Sequence, residues 1–192
     1  LARGDTPELW FCRDLKGYAW VFRKGNFLNI GLGREDNHKL TGHLEAFVEE
    51  MKSTGRIPQD LPGRFKGHAY LLYAHADRPL VDDGVMLIGD AAGLAYTQSG
   101  EGIRPAVESA LLAADVIRQA PDYSASSLQI YGDAIAERFG TRASGADQGW
   151  QVPDWGKMPL ASSLMRSHWF TRKVVTEKWF LHQEVPPLKV AV

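Results

Sequence analysis

The chain has 192 residues and a formal net charge of -1, with 22 basic and 23 acidic side chains mixed along its length. This balance argues against a nucleic-acid partner, which clustered basic residues would hold through phosphate contacts. No apolar run is long enough to span a bilayer. Cys12 is the only cysteine, so a disulfide framework is excluded and a reducing, cytoplasmic compartment is expected.

The first predicted element is a β-hairpin. Residues 18–22 and 27–33 are rich in β-forming residues and flank the turn-forming segment 23–26. Tyr18, Trp20 and Phe22 alternate, so their side chains leave the same face of the strand. From the residues alone, such a row is more often the core of a sheet than the wall of a ligand cavity.

A helix, a strand and two turns are predicted next. The apolar residues of the helix recur at helical spacing, and glycine and proline follow it at positions 55 and 58. Residues 65–74 are a second strand candidate, followed by turns at 77–79 and 82–84. The apolar helix residues are Leu40, Leu44, Phe47, Val48 and Met51.

The segment 84–117 carries the most informative pattern of the chain. Residues 85–88 are an apolar run typical of a parallel strand buried on both sides. Asp90 then follows that strand's carboxyl end, where ligands bind in open α/β sheets. The glycine-rich loop 99–102 leads into a helix with Pro105 in its first turn. The free amides of that helix start can face an electron-rich ligand atom.

Helices are predicted for much of the remaining chain. After Pro121, Leu128, Tyr131, Ile135 and Phe139 indicate an amphipathic helix. Residues 145–159 are predicted as a loop and 160–182 as a last helical region. In that region four aromatic residues lie among basic ones, which indicates either packing onto the protein body, the favoured interpretation, or an interfacial helix in contact with a membrane surface. They are Trp169, Phe170, Trp179 and Phe180.

Other chemistry finds little support in the sequence. The histidines lack the spacing of a metal site, and no GxSxG nucleophile motif is present. Glu101, in the glycine loop, is either a cap of the following helix or a site residue.

The order strand, GDAAG, GEGI, alanine-rich helix resembles the second flavin motif of FAD-dependent oxidoreductases with the para-hydroxybenzoate hydroxylase fold. It is most similar to the geranylgeranyl reductase branch, although Tyr96-Thr97 stands where that branch usually has Asn-Pro. The resemblance implies that Asp90, with Gly89, contacts the ribityl or pyrophosphate side of FAD. It also implies that Gly100, Gly102 and Ile103 contact the isoalloxazine ring, where a helix start stabilises negative charge.

The hairpin carries a second resemblance to the same branch. Its pattern Tyr-x-Trp-x-Phe-Pro-Lys-Gly is matched by Tyr18, Trp20, Phe22 and Lys24, with Arg23 in place of the proline. In that family this segment lines the substrate cavity, so the resemblance implies substrate contacts for these four residues.

The first half of a flavin-binding domain is not found in the sequence. A GxGxxG turn after a strand is missing, and a single parallel strand needs neighbours. We therefore expect an α+β or α/β chain that is the C-terminal half of a two-domain flavoprotein. The predicted division is 1–80 in an antiparallel substrate domain, 81–123 at the end of the FAD-binding domain, and 124–192 in a helical C-terminal region.

The implied activity is reduction of an unsaturated, isoprenoid-like apolar substrate by FAD, with NAD(P)H as a candidate electron donor. Two alternatives stay open. One is a flavin-dependent monooxygenase or halogenase of the same fold, and the other is a non-catalytic module that acts through its aromatic surface.

Overall fold

The computed structural model describes residues 8–35, 39–61, 67–73, 76, 78–140 and 154–188, with no side-chain description for 154–158. The chain divides into two compact units, Leu1–Gly67 and His68–Val192. Residues 68–80, predicted with the first domain, group with the second unit. The two units are described one at a time.

In its described residues the first unit is an antiparallel sheet with one helix. Strands β1 (Glu8–Phe11), β2 (Gly17–Lys24) and β3 (Phe27–Arg34) lie in the order β1-β2-β3, and helix α1 spans Leu40–Ser53. The predicted hairpin and helix are therefore confirmed. The turn is shorter than predicted, because Lys24 pairs with Phe27 and only Gly25-Asn26 connects the strands. Gly25 has a φ of 58°, as the first central position of a type II′ turn requires.

One face of this sheet forms the core of the unit. Ala19 and Val21 are buried there against α1, and Tyr18, Trp20 and Phe22 leave the opposite face because neighbouring side chains alternate. The interpretation of the aromatic row as sheet core is therefore wrong for this unit. The buried residues that complete the core are Phe47, Val48, Met51 and Ile57.

The second unit is built around two helices. Strands β4 (Val81–Asp82) and β5 (Val85–Met86) form a small hairpin, and a 3₁₀ turn at Gly89–Ala92 leads towards helices α2 (Ile103–Gln119) and α3 (Ala125–Phe139). The predicted helices of this region are confirmed. Their core includes Leu128, Tyr131 and Ile135, and the Tyr131 hydroxyl donates to the Leu87 carbonyl oxygen at 2.6 Å.

The strands predicted in this unit differ from those observed. Residues 85–88 do not form a parallel strand buried on both faces, because β5 pairs only with β4, antiparallel, in the described part of the chain. Val85 and Ile88 are consequently 47% and 42% exposed. Residues 67–71 have no regular structure, and Leu72 forms an isolated parallel bridge with Ala95. The rest of the predicted strand 65–74 lies, apart from Tyr73, outside the described residues.

The described residues 154–188 contain three helical segments. These are α4 (Asp154–Met165), α5 (His168–Phe170) and a π-helix at Thr171–Phe180. Residues 154–159 are therefore helical, not loop, even though α4 contains Pro159. The predicted helix 160–182 is interrupted at 166–167, where the Ser167 hydroxyl accepts from the Phe170 amide and begins a new helix. None of the described helices has the length and apolar character to cross a membrane.

Candidate functional site

The second unit has a cleft of about 520 Å³ at the start of α2. The structure brings together in its lining every residue that the sequence predicted to bind the cofactor. These are Gly89, Asp90, Gly100, Gly102 and Ile103, joined by Tyr70, Ile88 and Ala106. Their roles in binding a flavin stay predictions.

The GDAAG turn is fixed against the middle of α2. Gly89 has a φ of 52°, and its amide donates to the buried Ser109 hydroxyl at 3.0 Å. A Cβ built at Gly89 would lie 3.0 Å from the Ala106 Cβ, so a larger residue would push the turn away from the helix. The turn can therefore place the next residue accurately.

That next residue, Asp90, faces the cleft with a carboxylate that is about half exposed. Its Oδ2 lies 3.1 Å from Nε2 of His68. A Cβ built at Gly102 would lie 3.2 Å from Oδ1, so glycine at this position leaves room for the carboxylate. Asp90 thus has space and solvent access to accept a hydrogen bond from a hydroxyl-bearing ligand.

The start of α2 retains donors for a ligand. Glu101 Oε1 accepts from the Arg104 amide at 2.9 Å, which confirms the predicted cap, and Pro105 has no amide hydrogen. In the described part of the chain the Gly102 and Ile103 amides have no protein acceptor. Free amides at a helix start favour an electron-rich ligand group.

Tyr70 closes one side of the cleft. Its hydroxyl donates to the Gly100 carbonyl oxygen at 2.9 Å, and its ring stacks on His68 with the centroids 5.8 Å apart. Burial, with smaller contributions from the Asp90 and Glu101 carboxylates, raises the pKa of Tyr70, so the phenol stays protonated as a donor. Sequence reasoning missed Tyr70 and His68 as site residues, because it predicted a strand at 65–74 whereas residues 67–71 have no regular structure.

A largely buried cluster of one carboxylate and two arginines supports the start of α2. Glu108 on α2 accepts from Arg104 Nε at 2.9 Å and from Arg138 Nη2 on α3 at 2.6 Å. Burial alone would raise the pKa of Glu108, but the hydrogen bonds from the two arginines hold it below its usual range. The carboxylate therefore stays charged and ties the start of α2 to the end of α3.

The first unit presents the predicted substrate residues on one face. The Trp20 indole lies over Gly31, where a Cβ would overlap the ring, and its Nε1 donates to Asn29 Oδ1 at 2.7 Å. The Tyr18 ring centroid is 5.9 Å from that of Trp20. Phe22 leaves the same face, whereas Lys24 is exposed at the hairpin end. Substrate contact by these residues stays a prediction.

The described residues contain no cluster of histidine, cysteine and acidic side chains suited to a metal ion. The aromatic residues of the C-terminal part divide into two groups. Phe170, Trp179 and Phe180 are half-buried, and the first two meet edge to face at 5.9 Å, whereas Trp169 is 67% exposed.

Comparison with known proteins confirms the resemblance to geranylgeranyl reductases. The chain is 33% identical over 133 residues to digeranylgeranylglycerophospholipid reductase of Methanocaldococcus jannaschii, over 66% of this chain and 34% of the relative. The reductase of the same name from Thermoplasma acidophilum is 34% identical over 138 residues, or 64% of this chain and 32% of the relative.

A third relative, digeranylgeranylglycerophospholipid reductase 3 of Methanosphaera stadtmanae, is 34% identical over 135 residues, or 66% of this chain and 32% of the relative. The chain thus spans about a third of the length of the curated relatives it matches. No family model matches the chain, and no solved structure matches it.

Proposed function

We propose that this chain is part of an FAD-dependent oxidoreductase that reduces carbon–carbon double bonds of an isoprenoid lipid. The observation that carries the proposal is the meeting of the GDAAG and GEGI residues in one cleft at a helix start. The names of the relatives, reductases of a digeranylgeranyl lipid, support the substrate class.

The residues of the cleft fit a flavin. Glycines at 89, 100 and 102 keep side chains out of the space that a planar ring would occupy. The Gly102 and Ile103 amides have no acceptor among the described residues and can donate to a ligand. In this proposal Asp90 accepts from the ribityl hydroxyls, and the start of α2 lies against the pyrimidine edge of the ring. When bound, FAD supplies hydride transfer, with NAD(P)H as the proposed source of electrons.

The remaining contribution of the cleft is orientation. Tyr70, held by Gly100, fixes one wall, and Ser109 fixes the GDAAG turn on α2. Both contacts preorganise the donors before a ligand arrives, so less ordering has to accompany binding.

The aromatic face of the first unit fits an apolar substrate. Tyr18, Trp20 and Phe22 offer ring surface, and the glycines at 31 and 33 keep the surface beside the indole low. An isoprenoid chain carries methyl groups and double bonds that bind well to such rings. Peripheral contact with the lipid surface that contains the substrate is part of the proposal and is supported by the exposed ring of Trp169.

The proposal is tested by FAD titration of the whole protein that carries this chain. Asp90→Asn keeps the size of the side chain and removes its charge, and we expect FAD affinity to fall about tenfold or more, the scale of a charge-assisted hydrogen bond. Asp133→Asn, on the exposed side of α3, is the matched control and should leave the affinity unchanged. A protein that binds no FAD would instead support the interaction-module alternative.

The reaction product and its dependence on oxygen distinguish a reductase from a monooxygenase or halogenase. Under anaerobic conditions a reductase converts an isoprenoid alkene into a product heavier by two hydrogens, as hydride transfer and protonation require. Strict dependence on oxygen, with a hydroxylated or halogenated product, would show a monooxygenase or halogenase instead.

A further inference from the structure

The C-terminal segment, residues 181–188, lies against the loop that leads into the cleft. The His182 imidazole stacks on the Tyr96 ring with the centroids 3.7 Å apart and the planes at 30°. The Tyr96 ring also lies near Phe139, at 6.2 Å and 57°. Tyr96 is therefore held between the end of α3 and the C-terminal segment.

Arg104, at the start of α2, holds the same segment through its backbone. Its Nη1 and Nη2 donate to the carbonyl oxygens of His182 and Val185, both at 3.4 Å, while its Nε donates to Glu108. One guanidinium thus links the helix start to the buried carboxylate and to the C-terminal segment. The fork geometry of arginine suits this arrangement.

His182 occupies its place at a cost. Its φ of 45° lies in the left-handed region, which histidine enters more often than most residues other than glycine. The residue is only 8% exposed, and its Nε2 has no hydrogen-bond partner in the described structure. An unpaired buried nitrogen is unfavourable, whereas the ring stacking on Tyr96 is favourable and keeps the imidazole in this position.

Tyr96 in turn determines the shape of the loop at residues 96–101. Its carbonyl oxygen accepts from the Gly100 amide at 2.7 Å, and its amide donates to the Glu101 carbonyl oxygen at 3.0 Å. Gly100 has a φ of 64° and lines the cleft. Fixing Tyr96 therefore fixes the backbone positions of Gly100 and Glu101.

We propose that His182 is a positioning residue for the cleft: by stacking on Tyr96 it holds the loop 96–101 in the conformation that receives a ligand. The contact itself is independent of the ligand's identity, and only the statement that the ligand is a flavin rests on the proposed function. The C-terminal segment 181–188, called the clasp below, thus holds the loop 96–101 in place.

Two substitutions at position 182 separate the ring from the backbone conformation. His182→Asn tolerates the left-handed conformation but has no ring, whereas His182→Phe keeps a ring and removes the unpaired nitrogen. The measurement is amide hydrogen exchange at Tyr96 and Gly100, compared with core amides of α3 around Tyr131. It needs no flavin.

We expect His182→Asn to accelerate exchange at Tyr96 and Gly100 by about threefold to tenfold, the scale of one aromatic contact, with α3 unchanged. His182→Phe should stay within about twofold of the original protein, because the ring remains. An equal increase in α3, or equal acceleration by asparagine and phenylalanine, would overturn the positioning role.

FAD titration of the same variants distinguishes this inference from the proposed function. In the whole protein that carries this chain, His182→Asn should weaken FAD binding by a similar factor and His182→Phe should not. If the loop responds as expected but no variant binds FAD, the flavin assignment fails and the clasp stands. If FAD binds equally to all variants and the loop does not respond, the clasp is refuted and the flavin assignment stands.

Discussion

Trp20 shows how a single glycine can determine the position of an aromatic side chain. A Cβ at Gly31 would overlap the indole, whereas a Cβ at Gly33 would lie 3.9 Å from it, an ordinary contact distance. The indole is also held by its hydrogen bond to Asn29. The ring therefore has one well-defined place on the aromatic face of the first unit.

We predict that Gly31→Ala destabilises the first unit by about 1–3 kcal/mol, because the indole must leave its place and lose the Asn29 hydrogen bond. Gly33→Ala is the matched control on the same strand and should cost less than about 1 kcal/mol. Urea unfolding measures both. Equal effects of the two substitutions would contradict the proposed overlap.

Protonation of His182 should make the stability of the fold depend on pH. Burial, assisted by the Arg104 charge, lowers the pKa of His182 below its usual 6.5, although Glu101, Glu184 and Glu108 act in the opposite direction. The unfolded chain therefore binds a proton at a pH where the folded chain does not. Protonation of His182 therefore does not reduce the free energy of unfolding above pH 6.5. The free energy of unfolding declines as the pH falls from 6.5 towards the pKa of His182 in the folded chain.

His182→Phe should remove this decline, because phenylalanine does not titrate. The test is thermal unfolding of both proteins at a series of pH values on either side of 6.5. The difference between their melting temperatures isolates His182 from carboxylates such as Glu108, which titrate in both proteins. A difference that does not change with pH would show that the folded pKa is unshifted.

At the residue scale, the sequence predicts the motif residues of the cleft but not their partners. Asp90 and the glycines could be found because they follow one another along the chain at a typical spacing. His68, Tyr70 and His182 reach the cleft or its loop from distant positions, through contacts that no local pattern encodes. The motif therefore identifies one side of the site, but it does not identify the residues that hold that side in position.

At the scale of elements, helices with one apolar face are well predicted. The periodic residues of α1 and α3 identify both their extent and their buried face, as the burial of Met51 and Ile135 shows. For α3 the Ser124 side chain also accepts from the Ser127 amide and defines the start. Local sequence is sufficient because the helix contains its own hydrogen bonds.

The predicted strand at 85–88 shows why strands are harder to predict from sequence than helices. An apolar run indicates burial on both faces only when neighbouring strands are present on each side. Here Val85 and Met86 pair with β4 alone among the described residues, so the run ends as a short hairpin. The hydrogen-bonding partner of a strand is a property of the rest of the protein, which the strand's own residues do not encode.

At the scale of the whole molecule, the described residues form two hydrophobic cores. The core around Val21 belongs to the first unit and the core around Tyr131 to the second. The predicted domains 1–80, 81–123 and 124–192 stay a prediction, and the α+β or α/β two-domain assignment does too. The similarity to reductases covers about two thirds of the chain and about a third of the relatives.

The proposed contact with a lipid surface would involve the molecule as a whole and can be measured directly. We predict that Trp169→Ser reduces binding to anionic phospholipid vesicles roughly tenfold, because the 67% exposed indole would insert at the headgroup level. Ile130→Ser, at a residue 62% exposed on α3, is the matched control. Cosedimentation measures both, and equal binding by the two variants would contradict a role for Trp169.

The contact between Trp20 and Gly31 also has an evolutionary consequence. While the indole keeps this position, a β-carbon at residue 31 overlaps it and lowers stability, and the overlap disappears once a smaller residue has replaced Trp20. The two positions cannot drift independently, because an intermediate with both a large ring and a β-carbon pays the full steric cost. Replacement of residues on this aromatic face therefore costs less stability when it begins at position 20 than when it begins at position 31.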